Sequence, residues 1–228
     1  DFAAWEQGAQ AGEFAKEIPT NKLLVHLLLN EGQSNVVRGV AGTKGEFTAS
    51  GALDWTGVGR YGPAPKLKKG ANFNLGDVAN FERTNQFSYG AWVRISTPGT
   101  FGPLLARMDE TNNFRGWDLV QAGKKISVHI VSKWPADALK VESKDEVLKP
   151  GVWQHFFVTY DGSSKARGLK LYVDGVAVAV KADNDTLKST IRSTTPLRIG
   201  QRSKDQILED GRLQDVRIYE RRLSSNEV

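Results

Sequence analysis

Two tryptophans of this chain keep company that could hold a sugar. Trp117 is flanked by Arg115 and Asp118, and Trp134 stands beside Pro135 with Asp137 close behind. A sugar ring has an apolar C–H face that stacks on an aromatic ring, and its hydroxyls then need Asp, Asn, Arg or Gln nearby. Both tryptophans fall at strand edges rather than inside a long apolar alternation. The competing reading is that they plug the edge of the fold and bind nothing. His129 lies on the more polar face of its run and joins the candidates, either as a surface residue or as a ligand contact. Tyr61 and Trp55 come after these, and Trp92 and Trp153 read as structural.

Other chemistries have less to work with. The three histidines, 26, 129 and 155, all fall within expected strands. His26 and His155 have mainly apolar neighbours, the setting of a satisfied core histidine. There is no G-x-S-x-G elbow and no glycine loop built to cradle phosphate. Calcium takes about six to eight oxygen ligands from carboxylates and carbonyls. Two stretches could supply them: Asp109-Glu110-Thr111-Asn112-Asn113 and Asp183-Asn184-Asp185. Asp109, Asn112, Asp183 and Asp185 are therefore the candidate Ca2+ ligands. Neither stretch has an EF-hand pattern, and Asx residues are also ordinary turn formers, so both readings stand.

The elements that must position these residues are strands. Residues 153–160 (WQHFFVTY) carry bulk on both alternating sets, which suits the middle of a sheet covered on both sides. Residues 169–174 alternate Leu169, Leu171 and Val173 with Lys170, Tyr172 and Asp174, the pattern of a half-buried antiparallel strand. Asp174-Gly175 then closes a tight hairpin, since a type I′ turn needs positive φ, with 176–180 as its return strand. Residues 87–96, 104–107, 117–120, 125–131 and 139–142 read as further strands, as do 23–29, 71–75, 196–200 and 213–219. From 36 to 65 glycines recur, and Pro63 and Pro65 block central ladder positions; this zone reads as short strands and turns. A helix is expected over 2–16, ended by Pro19. Ser224 with Glu227 forms a capping box that would start another. About a dozen strands separated by turn signals imply an all-β antiparallel sandwich.

Composition sets the outer bounds. The chain has 228 residues, no cysteine and a formal net charge of +5. A single domain of this size buries roughly 70–75% of its unfolded surface and needs no covalent staple. Absence of cysteine removes thiol chemistry and zinc-thiolate sites. No apolar run approaches the ~20 residues that span a bilayer. The densest basic cluster, Lys66, Lys68 and Lys69, has no aromatic residues interleaved, so a nucleic-acid groove is not expected. The chain starts with Asp1, and helical signals flank the strands. It reads as an excised domain, with a lead-in helix and linker over 1–22 and a sandwich over 23–228.

FSYGAWVRIS, LLARMD, WQHFFVTYDGSS, GLKLYVDG, PLRIG and GRLQDVRIYERRLSSNEV stand in the order seen in laminin-G-like domains. The chain resembles these domains of the concanavalin A-like lectin/glucanase superfamily over residues 23–228. RGWDL (115–119) with KWPADALKV (133–141) is similar to the subtype inserted in large planctomycete surface proteins that carry haem-binding cytochrome domains. The resemblance implies a jelly roll of two curved antiparallel sheets with short flanking helices. It implies a non-catalytic sugar- or protein-binding module, in an extracellular, surface or periplasmic protein. Partners would be a polysaccharide or other glycan and the neighbouring domains of a parent chain. One departure is visible: many relatives have two acidic residues before V-R-I-Y, and here the first is Gln214. Glucanases of this superfamily place two carboxylates around an aspartate on one strand face, where one attacks and the other donates a proton. No expected strand has that pattern; Glu142 and Glu146 flank Asp145 at the wrong offset. Three readings follow: a lectin-like module, an architectural or protein-docking domain, and a divergent glycosidase.

Overall fold

The computed structural model of the protein describes residues 18–67, 71–99 and 101–228. The helix expected over 2–16, and Lys68 and Lys69, lie outside the described residues. The strands are β1 (Leu23–Leu27), β2 (Val36–Gly42), β3 (Glu46–Thr48), β4 (Leu53–Gly59), β5 (Gly62–Leu67), β6 (Phe73–Asn74), β7 (Phe87–Ile95), β8 (Gly102–Asp109) and β9 (Arg115–Ala122). They continue with β10 (Lys125–Lys133), β11 (Asp137–Ser143), β12 (Gln154–Tyr160), β13 (Leu169–Val173), β14 (Val176–Ala177), β15 (Val180–Asp185), β16 (Arg198–Ile199) and β17 (Gly211–Tyr219). Among the described residues the only helical pieces are single 3-10 turns at Glu110–Asn112 and Ala166–Gly168. The flanking helix expected at the C-terminal end is a turn. There Glu227 accepts from the Ser224 amide and hydroxyl, both at 2.9 Å, so the capping residues are joined without a helix behind them.

Two antiparallel sheets stack face to face in a jelly-roll-like sandwich. One runs β14-β13-β12-β7-β17-β1-β2-β3, with the β4–β5 hairpin joined to it through β5 and β17. The other runs β15-β11-β10-β9-β8-β16-β6. The strands alternate as a pleated strand must. Tyr89, Ala91 and Val93 of β7 and Phe156, Val158 and Tyr160 of β12 face Trp117, Leu119, Val128, Ile130 and Val141 of the opposing sheet.

β12 lies between β7 and β13, and all seven of its residues are buried. Its inward residues meet the other sheet. On its back, Phe157 joins Ile18, Leu23, Tyr172, Tyr219 and Leu223 in a second apolar cluster. Bulk on both alternating sets thus corresponds to cover on both sides. Asp174 and Gly175 have φ of +51° and +78°, as a type I′ turn requires. The return strand is shorter than expected. β14 ends at Ala177, and from Val180 the chain pairs with β11 as an edge of the other sheet. The glycine-rich zone also holds more order than expected, because β2 pairs with β1 and β5 with both β4 and β17.

Gln214 explains its own departure from the acidic pattern. It is fully buried, its Oε1 accepts from the Arg60 and Tyr61 amides, and its Nε2 donates to the Leu29 and Pro63 carbonyls. An ionised carboxylate only accepts, so it could not satisfy both pairs. This amide staples the tip of the β4–β5 hairpin over Trp92, with the Arg60 guanidinium 4.4 Å from the Trp92 ring.

Beneath this cover lies His155, buried, with no partner for its Nε2. Burial, aided by the Arg217 charge, lowers its pKa from the ordinary 6.5 to about 4, against the pull of Asp215 and Asp174. Between these values the unfolded chain binds the proton and the folded chain does not. Stability is therefore complete above pH 6.5 and is lost progressively as pH falls towards 4, by about 3 kcal/mol in total. Urea unfolding of His155→Gln across this range should show a flatter pH profile than the parent chain.

Candidate ligand-binding pocket

Adjacent strand residues face opposite ways, and β9 divides the expected site along that line. Trp117 points into the sandwich, 1% exposed, packed against Tyr89, Phe81 and Phe87 with ring centroids 4.5, 5.8 and 6.3 Å away. Its Nε1 donates to the Ala79 carbonyl at 3.0 Å. The expectation that Trp117 stacks on a sugar is corrected: both ring faces are occupied by the core. Asp118 points the other way, onto the outer face of the seven-stranded sheet.

On that outer face the register sets Asp118 beside His129 and Ala106, and Gly116 beside Val131 and Met108. Gly116 has φ +133°, and a Cβ there would run into the Arg107 carbonyl oxygen, so glycine is required. On this face lies a cavity of about 210 Å³ lined by Phe101, Met108, Phe114, His129, Val131, Trp134 and Arg202. Trp134 meets the His129 ring edge-on at 5.6 Å. The Arg202 guanidinium lies over Phe101 at 4.6 Å and Phe114 at 5.4 Å. Asn113 and Phe114 both have left-handed backbones, φ +56° and +61°. For a bulky residue this costs roughly 1–3 kcal/mol, a strain that gathers at ligand sites.

Asp118 organises the charges. It is 0% exposed, yet every donor it needs is present. Its Oδ1 accepts from the His129 amide at 3.1 Å and pairs with His129 Nδ1 at 2.8 Å, and its Oδ2 accepts from Arg202 at 2.8 Å. Burial by itself would raise its carboxyl pKa, but His129 and Arg202 outweigh it and hold the group below the ordinary value. An ionised Asp118 can only accept, so His129 carries its proton on Nδ1. When the ring is neutral, Nε2 is a lone-pair acceptor; in the imidazolium it donates. Arg202 is held from behind, its Nε bonded to Gln206 and 3.4 Å from Glu110.

Of the residues expected at a sugar site, the structure thus brings together Asp118, His129 and Trp134. Arg115 donates to the Ser132 carbonyl at 3.4 Å and lies outside the lining. The Asp137 carboxylate accepts the Lys188 and Ser189 amides, tying down a loop rather than facing the cavity. Arg202, Phe101, Phe114 and Met108 were not anticipated. Arg202 is 84 residues from Asp118 in the chain, and no local pattern links the two.

The proposed calcium ligands are engaged elsewhere. Asp109 caps the 3-10 turn through the Thr111 amide and hydroxyl, in which Asn112 stands exposed. Asp183 pairs with Lys140 at 3.0 Å and Lys181 at 2.9 Å, and Asp185 accepts the Ala166 amide. Among the described residues no group of three His, Asp or Glu side chains gathers to hold a metal ion. In the structure these Asx clusters serve turns and ion pairs.

The fold is that of a jelly-roll-like β-sandwich with a small cavity on one outer face. The chain belongs to the Laminin_G_3 family of the concanavalin A-like lectin/glucanases superfamily, which it matches over residues 67–228. No curated protein sequence matches it. Among solved structures it is similar to the binding domain of Paraclostridial Mosquitocidal Protein 1, with TM-score 0.69 and 16% identity over 90% of this chain and 50% of that one. It is also similar to the binding domain of botulinum neurotoxin DC in complex with rat synaptotagmin II, with TM-score 0.64 and 11% identity over 90% of this chain and 50% of that one. The same toxin domain in complex with SialylT gives TM-score 0.64 and 12% identity over 91% and 50%. The chain spans about half the length of these relatives, and at such identities the likeness is one of fold.

Two substitutions separate the faces of β9. Trp117→Ala should cost about 3–5 kcal/mol through the cavity it leaves in the core. Asp118→Ala should cost a similar ~3–5 kcal/mol by leaving Arg202 buried without its nearer counter-charge and His129 without its partner. Denaturant unfolding measures both losses, and only Asp118→Ala should also shift the His129 imidazole resonances.

Proposed function

We propose that this chain is a non-catalytic, lectin-like module that takes one ring of a glycan into the outer-face cavity. The supporting observation is the pairing of a half-buried Trp134 with a His129 whose tautomer is set by a buried carboxylate. The indole and Phe114 offer apolar surface to the C–H face of a sugar, and Nε2 accepts a hydroxyl proton. The cavity, about 210 Å³, is smaller than the ~300–1,000 Å³ of sites for drug-sized ligands, which suits a single ring. Catalysis has little support here. The Asp118 carboxylate is spent on three donors, and the lining contains no hydroxyl or thiol nucleophile. That the similar solved structures are binding domains of toxins, two of them in complex with a protein or SialylT, favours a binding role. The module would serve in a secreted or surface protein, extracellular or periplasmic, among neighbouring domains. The narrower affiliation with planctomycete surface proteins rests only on the stretches 115–119 and 133–141, which here form parts of β9, β10 and β11.

A second reading, protein docking, is favoured by a separate surface. Val58 is 78% exposed and Val152 48%. Trp153 links the two regions by donating to the Val58 carbonyl at 3.4 Å.

A glycan panel read by calorimetry decides between them. The lectin reading expects a binding sugar, and Trp134→Ala should weaken it at least ~10-fold, equivalent to about 1.4 kcal/mol, with little change in melting temperature. Absence of any binding glycan, or unchanged affinity in Trp134→Ala, would leave docking as the function.

A further inference from the structure

The outer-face cavity does not stand alone. Phe101 also lines a second cavity of about 500 Å³, together with Thr97, Gln121, Gln206 and Leu208. The partition between the two is thin: the Phe101 ring with Arg202 stacked on it, and Gln206, whose side-chain oxygen accepts from Arg202. Arg202 faces one cavity and its bonded partner Gln206 faces the other.

The two cavities differ in character. The first is walled by aromatic rings and Met108. The second carries Asp205, Glu209 and Asp210 in its lining. Asp210 is engaged by Lys66 at 2.5 Å and by the Thr97 amide at 3.2 Å. Asp205 and Glu209 are exposed, and among the described residues no cation pairs with either. Although the chain as a whole is positive, a ligand unit lying here would meet local negative charge. At contact range the local charges decide, since the others are screened over about 8–10 Å.

We infer that the two cavities are neighbouring subsites, one on each side of this side-chain wall, for a linear chain of at least two linked sugar rings. The first ring stacks in the aromatic cavity, and the next lies in the acidic one and is neutral or amine-bearing rather than carboxylated. This rests on the lectin reading above and adds to it the length and charge of the ligand. Joining two subsites makes the second contact intramolecular, so affinity should climb with ring number until both are filled and then level off.

The test is calorimetric titration of the intact chain with cello-oligosaccharides, N-acetylated and de-acetylated chito-oligosaccharides and oligogalacturonates, each of one to four rings. Affinity should rise about tenfold or more between one ring and two or three, and the amine-bearing series should exceed the acetylated one. Oligogalacturonates should bind at least tenfold more weakly than neutral chains, about 1.4 kcal/mol. Asp205→Asn with Glu209→Gln, both on the surface, should erase the preference for amines and leave single-ring affinity unchanged. Single-ring binding that does not grow with length would overturn the pairing of subsites while the lectin reading stands. Equal affinity for galacturonates would overturn its charge selectivity, and failure of every ladder and every single ring to bind would remove both readings together.

Discussion

A carboxylate with no access to water governs the outer face of the seven-stranded sheet. An ionised group in that position is tolerated only if every lone pair finds a donor. Asp118 meets the requirement with the backbone and imidazole of His129 and the guanidinium of Arg202. Three segments are locked by that need: β9, β10 and the connection between β16 and β17. The imidazole tautomer, the placing of Arg202 over two phenylalanines and the partition between the two cavities all follow from it. The carboxylate acts by positioning, through groups that face the cavities, and not by contact with a ligand.

The opposite sheet solves a related problem with neutral groups. Its back is closed by the apolar cluster around Phe157 and by the β4–β5 hairpin, whose tip is held by the Gln214 amide. Where Asp118 needs only donors, the Gln214 site presents two amides and two carbonyls, so only a group that both donates and accepts fits. The cost of closing this face appears at His155, which lies under the cover without a partner for Nε2 and stays neutral in the folded chain. One sheet thus presents a largely aromatic cavity on its outer side, while the other has its outer side sealed.

Much of the architecture was legible because strand burial leaves a local trace. The double-sided bulk of 154–160 reflects cover on two faces, and the alternation of 169–173 reflects an inward face of Leu169 and Leu171 with a back face open at Lys170 and closed at Tyr172. Asp174-Gly175 names its turn through positive φ alone. The segments misjudged are those whose partners are distant. Glycine-rich 36–65 was legible as short strands and turns but not in its pairing, because strands with few apolar residues gain their stability from ladders to β1 and β17, which no local window reveals. The break after Ala177 was missed for a similar reason, since side-chain pattern says which residues are buried but not in which sheet. The candidate site divided in the same way. That Trp117 and Asp118 must part company follows from strand period, and could have been read from RGWDL itself.

By itself the sequence determined that this chain is an antiparallel β-sandwich, which strands form its centre, and that its chemistry is of aromatic rings, amides and carboxylates without thiols. Tertiary structure alone decided which side of β9 faces the core, that Asp118 would lose all contact with water, and that Arg202 would cross 84 residues of chain to meet it. The reason is physical. Burial periodicity is a property of neighbouring residues, whereas the neutralisation of a buried charge is settled by whichever distant donors the stacked sheets bring within hydrogen-bond reach.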